Sequence, residues 1–214
     1  MTTRRRPLTL ACLTLGLTAC MERGNGEPSS IQPELAPFHA VDVGGVFHLQ
    51  ATRTDGPQAV ELRGDANLVP KVELAVDDGV LQARLHDNVL PSLDLVLVVR
   101  TPTLDRVSLG GAARAELTGL SGDAFTLALS GASHARASGR VTRLHVDASG
   151  ASTIDAAATT ADEVEVDASG ASSIDVTAEV SLDADASGAS HVRWAGNAGK
   201  VEPHTSGASS VERR

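Results

Sequence analysis

Apolar and polar side chains alternate at every second position from Phe38 to about Arg100. A period of two is typical of half-buried β-strands, because successive side chains of a strand point to opposite faces of a sheet. Asp78-Gly79 separates two alternating runs and favours a tight hairpin turn, since Gly adopts positive φ freely. The alternating runs are Val41/Val43, Val60/Leu62, Val72/Leu74/Val76, Leu81/Ala83/Leu85 and Leu93/Leu95/Leu97/Val99.

The second half of the chain repeats a Ser-Gly-Ala-Ser motif at intervals of 18 to 20 residues. Each copy lies between apolar residues at fixed offsets, which predicts a unit of strand, tight corner and strand. A period near 20 that is made of strands predicts a parallel β-solenoid, whose turns stack about 4.8 Å apart. The five copies begin at Ser130, Ser149, Ser169, Ser187 and Ser206, and a looser copy begins at Gly110.

Stacking of the copies predicts columns of equivalent residues. The corner glycines are expected to turn the chain where a Cβ would clash with the neighbouring turn. The corner serines are expected to hydrogen-bond the corner backbone, because no Gly-x-Ser-x-Gly motif marks any of them as a nucleophile. The two predicted inward columns are Ala135, Ile154, Ile174, Val192, Val211 and Leu127, Val146, Val166, Ala184, Pro203.

The first residues have the features of a bacterial lipoprotein signal. Arg4 to Arg6 precede an apolar stretch that is too short to span a bilayer, and Leu17-Thr18-Ala19-Cys20 resembles a lipobox. We therefore expect residues 1–19 to be removed and Cys20 to carry the lipid that attaches the protein to a membrane. Met21 in place of Asp favours the outer membrane where the cell has one. Residues 20–37 are polar and contain three prolines, which predicts a flexible tether with a reach of roughly 20 to 25 Å.

Composition excludes several classes of partner. The formal net charge is −9, and only two of the eighteen basic residues are Lys, so the chain lacks the basic field that nucleic-acid binding requires. Aromatic residues make up 2% of the chain, which leaves little surface for stacking on sugars or bases. The chain has two cysteines, one in the signal and one at the lipidation position, so no free thiol is expected to remain for catalysis.

Carboxylates gather on one outward strip of the predicted solenoid. Like charges one turn apart repel by roughly 1 kcal/mol in water and about 3 to 4 kcal/mol at an effective dielectric of 20. A bound cation would relieve this repulsion, and Ca²⁺ suits carboxylate and backbone oxygens in loose geometry. The alternative is a solvated acidic face that gives solubility and blocks edge pairing. The candidate Ca²⁺ ligands are Asp147, Glu165, Asp167, Asp183 and Asp185.

Two further features of the repeats have structural interpretations. Opposite signs meet at most steps of the outward column Arg136, Asp155, Asp175, Arg193 and Glu212, and such exposed pairs are expected to set strand register. Trp194 is the only Trp of the chain, and it is predicted to cap the penultimate turn. The alternative for Trp194 is the centre of a small contact patch.

Several segments together resemble the putative auto-transporter adhesin, head-GIN domain family, over about residues 38–214. These segments are Gly24-Asn25-Gly26, the run from Phe38 to Leu49, Gly64 to Val69, Asp78 to Leu81 and the Ser-Gly-Ala-Ser repeats. The resemblance implies an all-β fold, a right-handed parallel β-helix with a more irregular strand-rich N-terminal half. It brings no established catalytic or binding residues, and the fold alone does not define a function.

The sequence therefore predicts a signal at 1–19, a lipidated Cys20 with a tether at 20–37, and a solenoid domain at 38–214. The domain divides into a strand-rich part (38–100) and the repeat turns (101–214). We expect a lipid-anchored cell-envelope protein that acts as a non-enzymatic binding, adhesion or scaffold module. One alternative is a Ca²⁺-dependent polysaccharide-processing enzyme, although the even repeat spacing leaves no room for long loops over a cleft. Another is a purely structural envelope protein.

Overall fold

The computed structural model describes residues 21–85 and 89–214. The signal predicted at 1–19 and the lipid-bearing Cys20 lie outside these residues. Across the two described ranges, no helix combines the length and the hydrophobicity that a membrane-crossing segment needs. The described residues form a β-solenoid, as the repeat period predicted.

Strands dominate both halves of the described chain, and one 3-10 turn lies at Val69–Lys71. The strands of the N-terminal half are β1 (Glu22–Arg23), β2 (Pro28–Ile31), β3 (Ala40–Val43), β4 (His48–Arg53), β5 (Ala59–Asp65), β6 (Val72–Asp77), β7 (Val80–Leu85), β8 (Val89–Leu90) and β9 (Val96–Thr101). The strands of the repeat half are β10 (Arg106–Leu109), β11 (Arg114–Leu129), β12 (His134–Ala148), β13 (Thr153–Ala168), β14 (Ser173–Ala186), β15 (His191–Ala195), β16 (Lys200–Thr205) and β17 (Ser210–Arg213).

The repeat half is a stack of parallel strands in register. Strands β11 to β14 are long because each continues through a bend, and the pairing register shifts at these bends. The segment after each corner pairs with the same segment of the next turn, and so does the segment before the corner. Residues about nineteen apart therefore become neighbours in space, which is the condition for every predicted column.

The N-terminal half is not stacked in chain order. Strands β3 and β4 form the turn next to β10 and β11, while β7 and β9 form the turn beyond it. The chain passes from β9 directly into β10, and so skips the turn that lies between them. Antiparallel β6 and β5 then cover β7 and β9, and β2 covers β5. At this end of the stack the outermost strands are therefore β6 and β2, which pair antiparallel with β7 and β5.

The corner glycines act as predicted. Gly150 has φ of +75°, and a Cβ built on it would lie 2.5 Å from the carbonyl oxygen of Gly131 in the preceding turn. The Ala151 N–H donates to this same oxygen at 2.7 Å. Only a residue without a side chain allows the corners to approach so closely while keeping this hydrogen bond. Positive φ values at Asp78 (46°) and Gly79 (73°) likewise confirm the predicted hairpin turn.

The corner serines bond backbone carbonyls, which confirms their structural role. The second serine of a corner is buried, and its hydroxyl donates to the carbonyl oxygen of the first serine of the same corner. These distances are 2.9 Å for Ser133, 3.0 Å for Ser172 and 2.8 Å for Ser190. Ser152 is equally buried, but its hydroxyl has no hydrogen-bond partner among the described residues.

One hydrophobic core runs through both halves and contains nearly all of the predicted inward columns. The exception lies in the last turn, where Pro203 is exposed and Val211 only half-buried, because no further turn covers them. Trp194 is 7% exposed, and the Arg213 guanidinium lies 4.9 Å from its ring centroid. Trp194 is therefore a cap of the late turns, as predicted, and its ring is not free to form a contact patch.

The tether prediction for residues 20–37 is corrected at residues 22–23 and 28–31, which form β1 and β2. The buried Asp65 carboxylate holds this segment, because it accepts hydrogen bonds from the N–H groups of Gly26 (2.7 Å), Ser92 (2.9 Å) and Leu93 (3.0 Å). Gly24 packs so tightly here that an added Cβ would lie 2.1 Å from Asp65 Oδ2. The polar, proline-containing composition therefore predicted flexibility for a segment that is ordered in the structure.

Candidate functional site

The outward surface of one repeat sheet carries most of the candidate chemistry. The sheet consists of the C-terminal segments of β11 to β14 together with β16, and its strands pair in register. We call its outward surface the charged face. Its two central columns are Thr126, His145, Glu165, Asp183, Glu202 and Ala128, Asp147, Asp167, Asp185, His204.

All five predicted Ca²⁺ ligands lie on the charged face, and we call them together the acidic strip (Asp147, Glu165, Asp167, Asp183 and Asp185). The structure does not gather all five around one point. It brings Glu165 and Asp167 together with His145, so that one ligand atom of each lies within 4.8 Å of the others. His145 was not among the ligands predicted from the sequence. Its position one turn before Glu165 in the same column could have identified it as a neighbour of that carboxylate.

The imidazole of His145 lies between two carboxylates. Its Nδ1 is 3.3 Å from Glu165 Oε2, and its Nε2 is 3.9 Å from Asp167 Oδ2. Nδ1 is buried, and despite the short distance its geometry to Glu165 is not that of a hydrogen bond. Because the two acids face different ring nitrogens, the imidazolium form would interact favourably with both.

Three other carboxylates of the acidic strip lie close enough to Asp167 to affect its pKa. Burial raises the pKa of Asp167, and the nearby carboxylates Glu165, Asp185 and Asp147 raise it further, while His145 lowers it. The net effect is a raised pKa, so the ionised form of this carboxyl is held less favourably than that of an isolated Asp. Asp167 is therefore the position at which a cation would relieve the most repulsion.

Cationic groups border the strip near the end of the solenoid. His204 Nε2 is 4.0 Å from Asp183 Oδ1, and Lys200 Nζ is 2.9 Å from Glu202 Oε2. The hydrogen bond from Lys200 is the main cause of a lowered pKa at Glu202, and the same bond raises the pKa of Lys200. Asp183 and Asp185 lie outside the cluster around His145, although the Asp185 carboxylate still raises the pKa of Asp167.

The donor set allows more than one cation. Ca²⁺ prefers oxygen ligands, which the strip supplies, whereas an imidazole together with carboxylates also suits first-row transition metals such as Zn²⁺. An ion bound to His145 would use one ring nitrogen, so it would sit closer to one of the two facing acids. The Ca²⁺ site predicted from the sequence stays a prediction.

A shallow groove of about 480 Å³ crosses the charged face beside the strip. Its rim combines both signs of charge, with Arg143 and Lys200 near Glu163 and Glu165, and Phe125 contributes to its floor. The groove crosses several successive turns. It can therefore present groups at a regular interval of about 4.8 Å to an extended ligand.

The opposite sheet of the repeats has a different character. Arg136 Nε is 3.1 Å from Asp155 Oδ2, and Arg193 Nη2 is 2.6 Å from Asp175 Oδ2. Unlike charges thus meet at these two steps between turns, as predicted, although Asp155 and Asp175 are like-charged neighbours. This surface fits a role in strand register better than one in ligand binding.

Stacked parallel strands, glycine corners and a capped N-terminal end define the protein as a β-solenoid domain that presents flat lateral faces. Residues 37–198 match the family described as putative auto-transporter adhesin, head GIN domain, and the chain belongs to this family. No curated protein sequence matches the chain.

Solved structures of proteins from Bacteroides and Parabacteroides have a similar fold. A putative adhesin from Bacteroides fragilis is 19% identical with a TM-score of 0.70, and the match covers 90% of this chain and 99% of that one. A putative adhesin from Parabacteroides distasonis is 20% identical with a TM-score of 0.61, covering 91% and 100%. One from Parabacteroides merdae is 18% identical with a TM-score of 0.57, covering 90% and 98%. At these identities the likeness concerns the fold alone.

Proposed function

We propose that the protein is a lipid-anchored component of the cell envelope whose solenoid is a non-enzymatic binding module for adhesion or scaffolding. Membership of an adhesin-named family supports a binding role at the cell surface or in the envelope. The Leu17-to-Cys20 motif supports attachment through lipid at Cys20. The proposed binding surface is the charged face.

The groove of the charged face is the observation that carries the proposal. Arg143, Glu163 and Lys200 offer charges of both signs at fixed spacing along the groove, next to the acidic strip. These side chains stand on paired strands and not on loops, so their spacing is set by the stack before a ligand binds. A rigid surface of this kind loses little conformational entropy on binding, which favours an extended partner with matching charges.

The alternative is a Ca²⁺-dependent enzyme that acts on polysaccharide. The cluster of His145, Glu165 and Asp167 favours it, because an imidazole between two carboxylates can serve as a general base and can bind a metal. The groove is nevertheless shallow, and it lies on a flat strand surface that excludes water poorly. For this reason binding is the better-supported function.

Photo-crosslinking in cells tests the proposed face. A photoreactive residue replaces Glu163 on the charged face in one variant and Arg136 on the opposite sheet in a matched control. We expect a discrete crosslinked product at position 163 and at least fivefold less of it at position 136. Equal products at both positions, or none at either, would contradict the proposed binding face.

A second assay addresses the alternative directly. Purified protein is incubated with acidic polysaccharides such as polyuronides, with Ca²⁺ or with a chelator, and chain shortening is measured. The binding proposal expects no shortening in either condition. Ca²⁺-dependent shortening that Glu165→Gln abolishes would establish the enzyme instead.

A further inference from the structure

The outer surface of the small β1–β8 sheet is unusually apolar for an exposed part of this protein. Met21 is 60% exposed and Leu90 is 51% exposed. Among the described residues three other large hydrophobic side chains are exposed, with exposed fractions from 40% to 57%, and they lie outside β1 and β8. Those three are Ile31, Val46 and Val180.

Strand geometry places three side chains on this one surface. Strands β1 and β8 are parallel, and Arg23 pairs with Leu90 while Glu22 pairs with Val89. Registered residues share a face and alternate residues of a strand return to it, so Met21, Arg23 and Leu90 point the same way. Val89, on the other face, packs against the hydrophobic core. We call the surface of Met21, Arg23 and Leu90 the anchor-side patch.

Several hydrogen bonds hold this patch on the domain. The Gly24 N–H donates to the carbonyl oxygen of Leu90 at 3.0 Å, and the Ser92 hydroxyl donates to the carbonyl oxygen of Gly24 at 2.7 Å. The Asn67 side chain accepts from the Asn25 N–H at 2.9 Å and donates to the carbonyl oxygen of Arg23 at 3.0 Å. The segment is thus fixed from its first strand onward.

Chain connectivity puts the proposed lipid beside the patch. Only Met21 separates Cys20 from β1, and two residue steps span at most about 7 Å. This distance is far shorter than the roughly 20 to 25 Å reach expected of a flexible tether over residues 20–37. Acyl chains on Cys20 would therefore bring the anchor-side patch to the bilayer surface.

We infer that the anchor-side patch is a membrane-docking surface, which rests the N-terminal half of the solenoid on the lipid bilayer. The inference depends on the proposed lipidation of Cys20. Met21 and Leu90 would enter the interfacial region, and Arg23 would contact anionic headgroups. The chain has a net charge of −9, and removal of residues 1–19 with their three Arg would leave −12, so an anionic bilayer would repel most of the surface and favour the apolar patch with its single Arg23.

The consequence is a defined orientation. The glycine corners from Gly45 to Gly207 are six turns apart, or about 29 Å along the stack. The N-terminal turns lie at the membrane, and the later turns with the charged face extend away from it. The docked protein therefore holds its proposed binding face at a fixed distance from the membrane, which a flexible tether would not do.

Fluorescence quenching on the lipidated full-length protein tests the docking. Leu90→Cys carries an environment-sensitive probe in one variant, and Val180→Cys carries it in the control, because Val180 is comparably exposed (57%) but lies in the repeat half. Both proteins are reconstituted into vesicles of phosphatidylethanolamine and phosphatidylglycerol that contain a headgroup-linked quencher. We expect at least fivefold stronger lipid-borne quenching at position 90, and the reverse order for soluble iodide.

The outcomes separate this inference from the proposed anchoring. If the protein fails to sediment with vesicles and Cys20→Ser has no effect on its membrane fraction, both the anchoring and the docking are overturned. If it sediments but positions 90 and 180 are quenched equally, the anchoring stands and the docking is wrong.

A further variant tests the hydrogen bonds that hold β1. Asn67→Ala, with its circular dichroism spectrum unchanged, is expected to reduce the difference in quenching between positions 90 and 180 to less than twofold, because it releases β1. An undiminished difference would contradict this role of the Asn67 bonds.

Discussion

The N-terminal half and the repeat half share one core but treat their carboxylates in opposite ways. In the N-terminal half, burial raises the pKa of Asp65, but the N–H groups of Leu93, Gly26 and Ser92 outweigh burial and lower it overall. In the repeat half, burial and neighbouring acids raise the pKa of Asp167. The surroundings of Asp65 thus stabilise its ionised form, while those of Asp167 destabilise it.

The difference follows from how each half is assembled. A repeated turn stacks each position on its own copy, so an outward Asp meets another Asp one turn away. A segment without repeats can instead place donors from distant parts of the chain around a single acceptor. Repetition therefore extends the hydrophobic core but also places like charges on adjacent turns. The irregular half can instead surround a single carboxylate with hydrogen-bond donors.

The largest expected effect concerns the corners of the repeat half. Gly150→Ala forces a Cβ to within 2.5 Å of a backbone oxygen at a position of positive φ, so it should lower the free energy of unfolding by about 3 kcal/mol. Urea unfolding measures the change. Gly199→Ala is the matched control, because its Cβ meets no atom within 4 Å. Equal stability of the two variants would contradict the stacked-corner account.

A smaller and local effect is expected in the N-terminal half. Asp65→Asn removes the carboxylate that three backbone N–H groups share, so residues 22–31 should exchange their amide hydrogens faster and the urea midpoint should fall at neutral pH. Because the pKa of Asp65 is lowered on folding, its stabilisation is present above the ordinary Asp pKa and is lost as pH falls through the folded value. Asp94→Asn, an exposed neighbour, should change neither quantity.

The sign reverses for the acidic strip. Asp167→Asn removes a carboxylate whose pKa is raised, so it should stabilise the protein at neutral pH by about 0.2 to 1 kcal/mol. The ionised form is what destabilises the folded state. The advantage of the variant should therefore shrink as pH falls through the raised pKa and vanish below the unfolded value. Thermal melts from neutral to acid pH measure the trend, and a variant that is less stable at neutral pH would contradict it.

The smallest expected effect is that of a cation on the same strip. Millimolar Ca²⁺ should raise the melting temperature of the natural protein by a few degrees at most, and Asp167→Asn should abolish the rise. A chelator should have no effect on that variant. Melting curves that do not respond to Ca²⁺ or chelator would leave the strip as a solvated acidic surface.

Much of the repeat half was predictable because its information is local. The glycine at each corner, the inward column from Leu127 to Ala184 and the outward column from His145 to Asp183 all follow from one period. The period failed only at the last turn, where Pro203 has the predicted register but no neighbour to bury it. In the N-terminal half, the hairpin at Asp78-Gly79 was predictable for the same local reason.

By itself the sequence determined the alternating strands after residue 38, the corners and which repeat residues share a column, since these depend on spacing along the chain. Only the tertiary structure decided that β9 skips a turn to reach β10 and that Asp65 holds the segment around Gly26. The physical reason is that these contacts join segments without a shared period. Such contacts depend on the free energy of the whole packed domain, and no local sequence pattern predicts them.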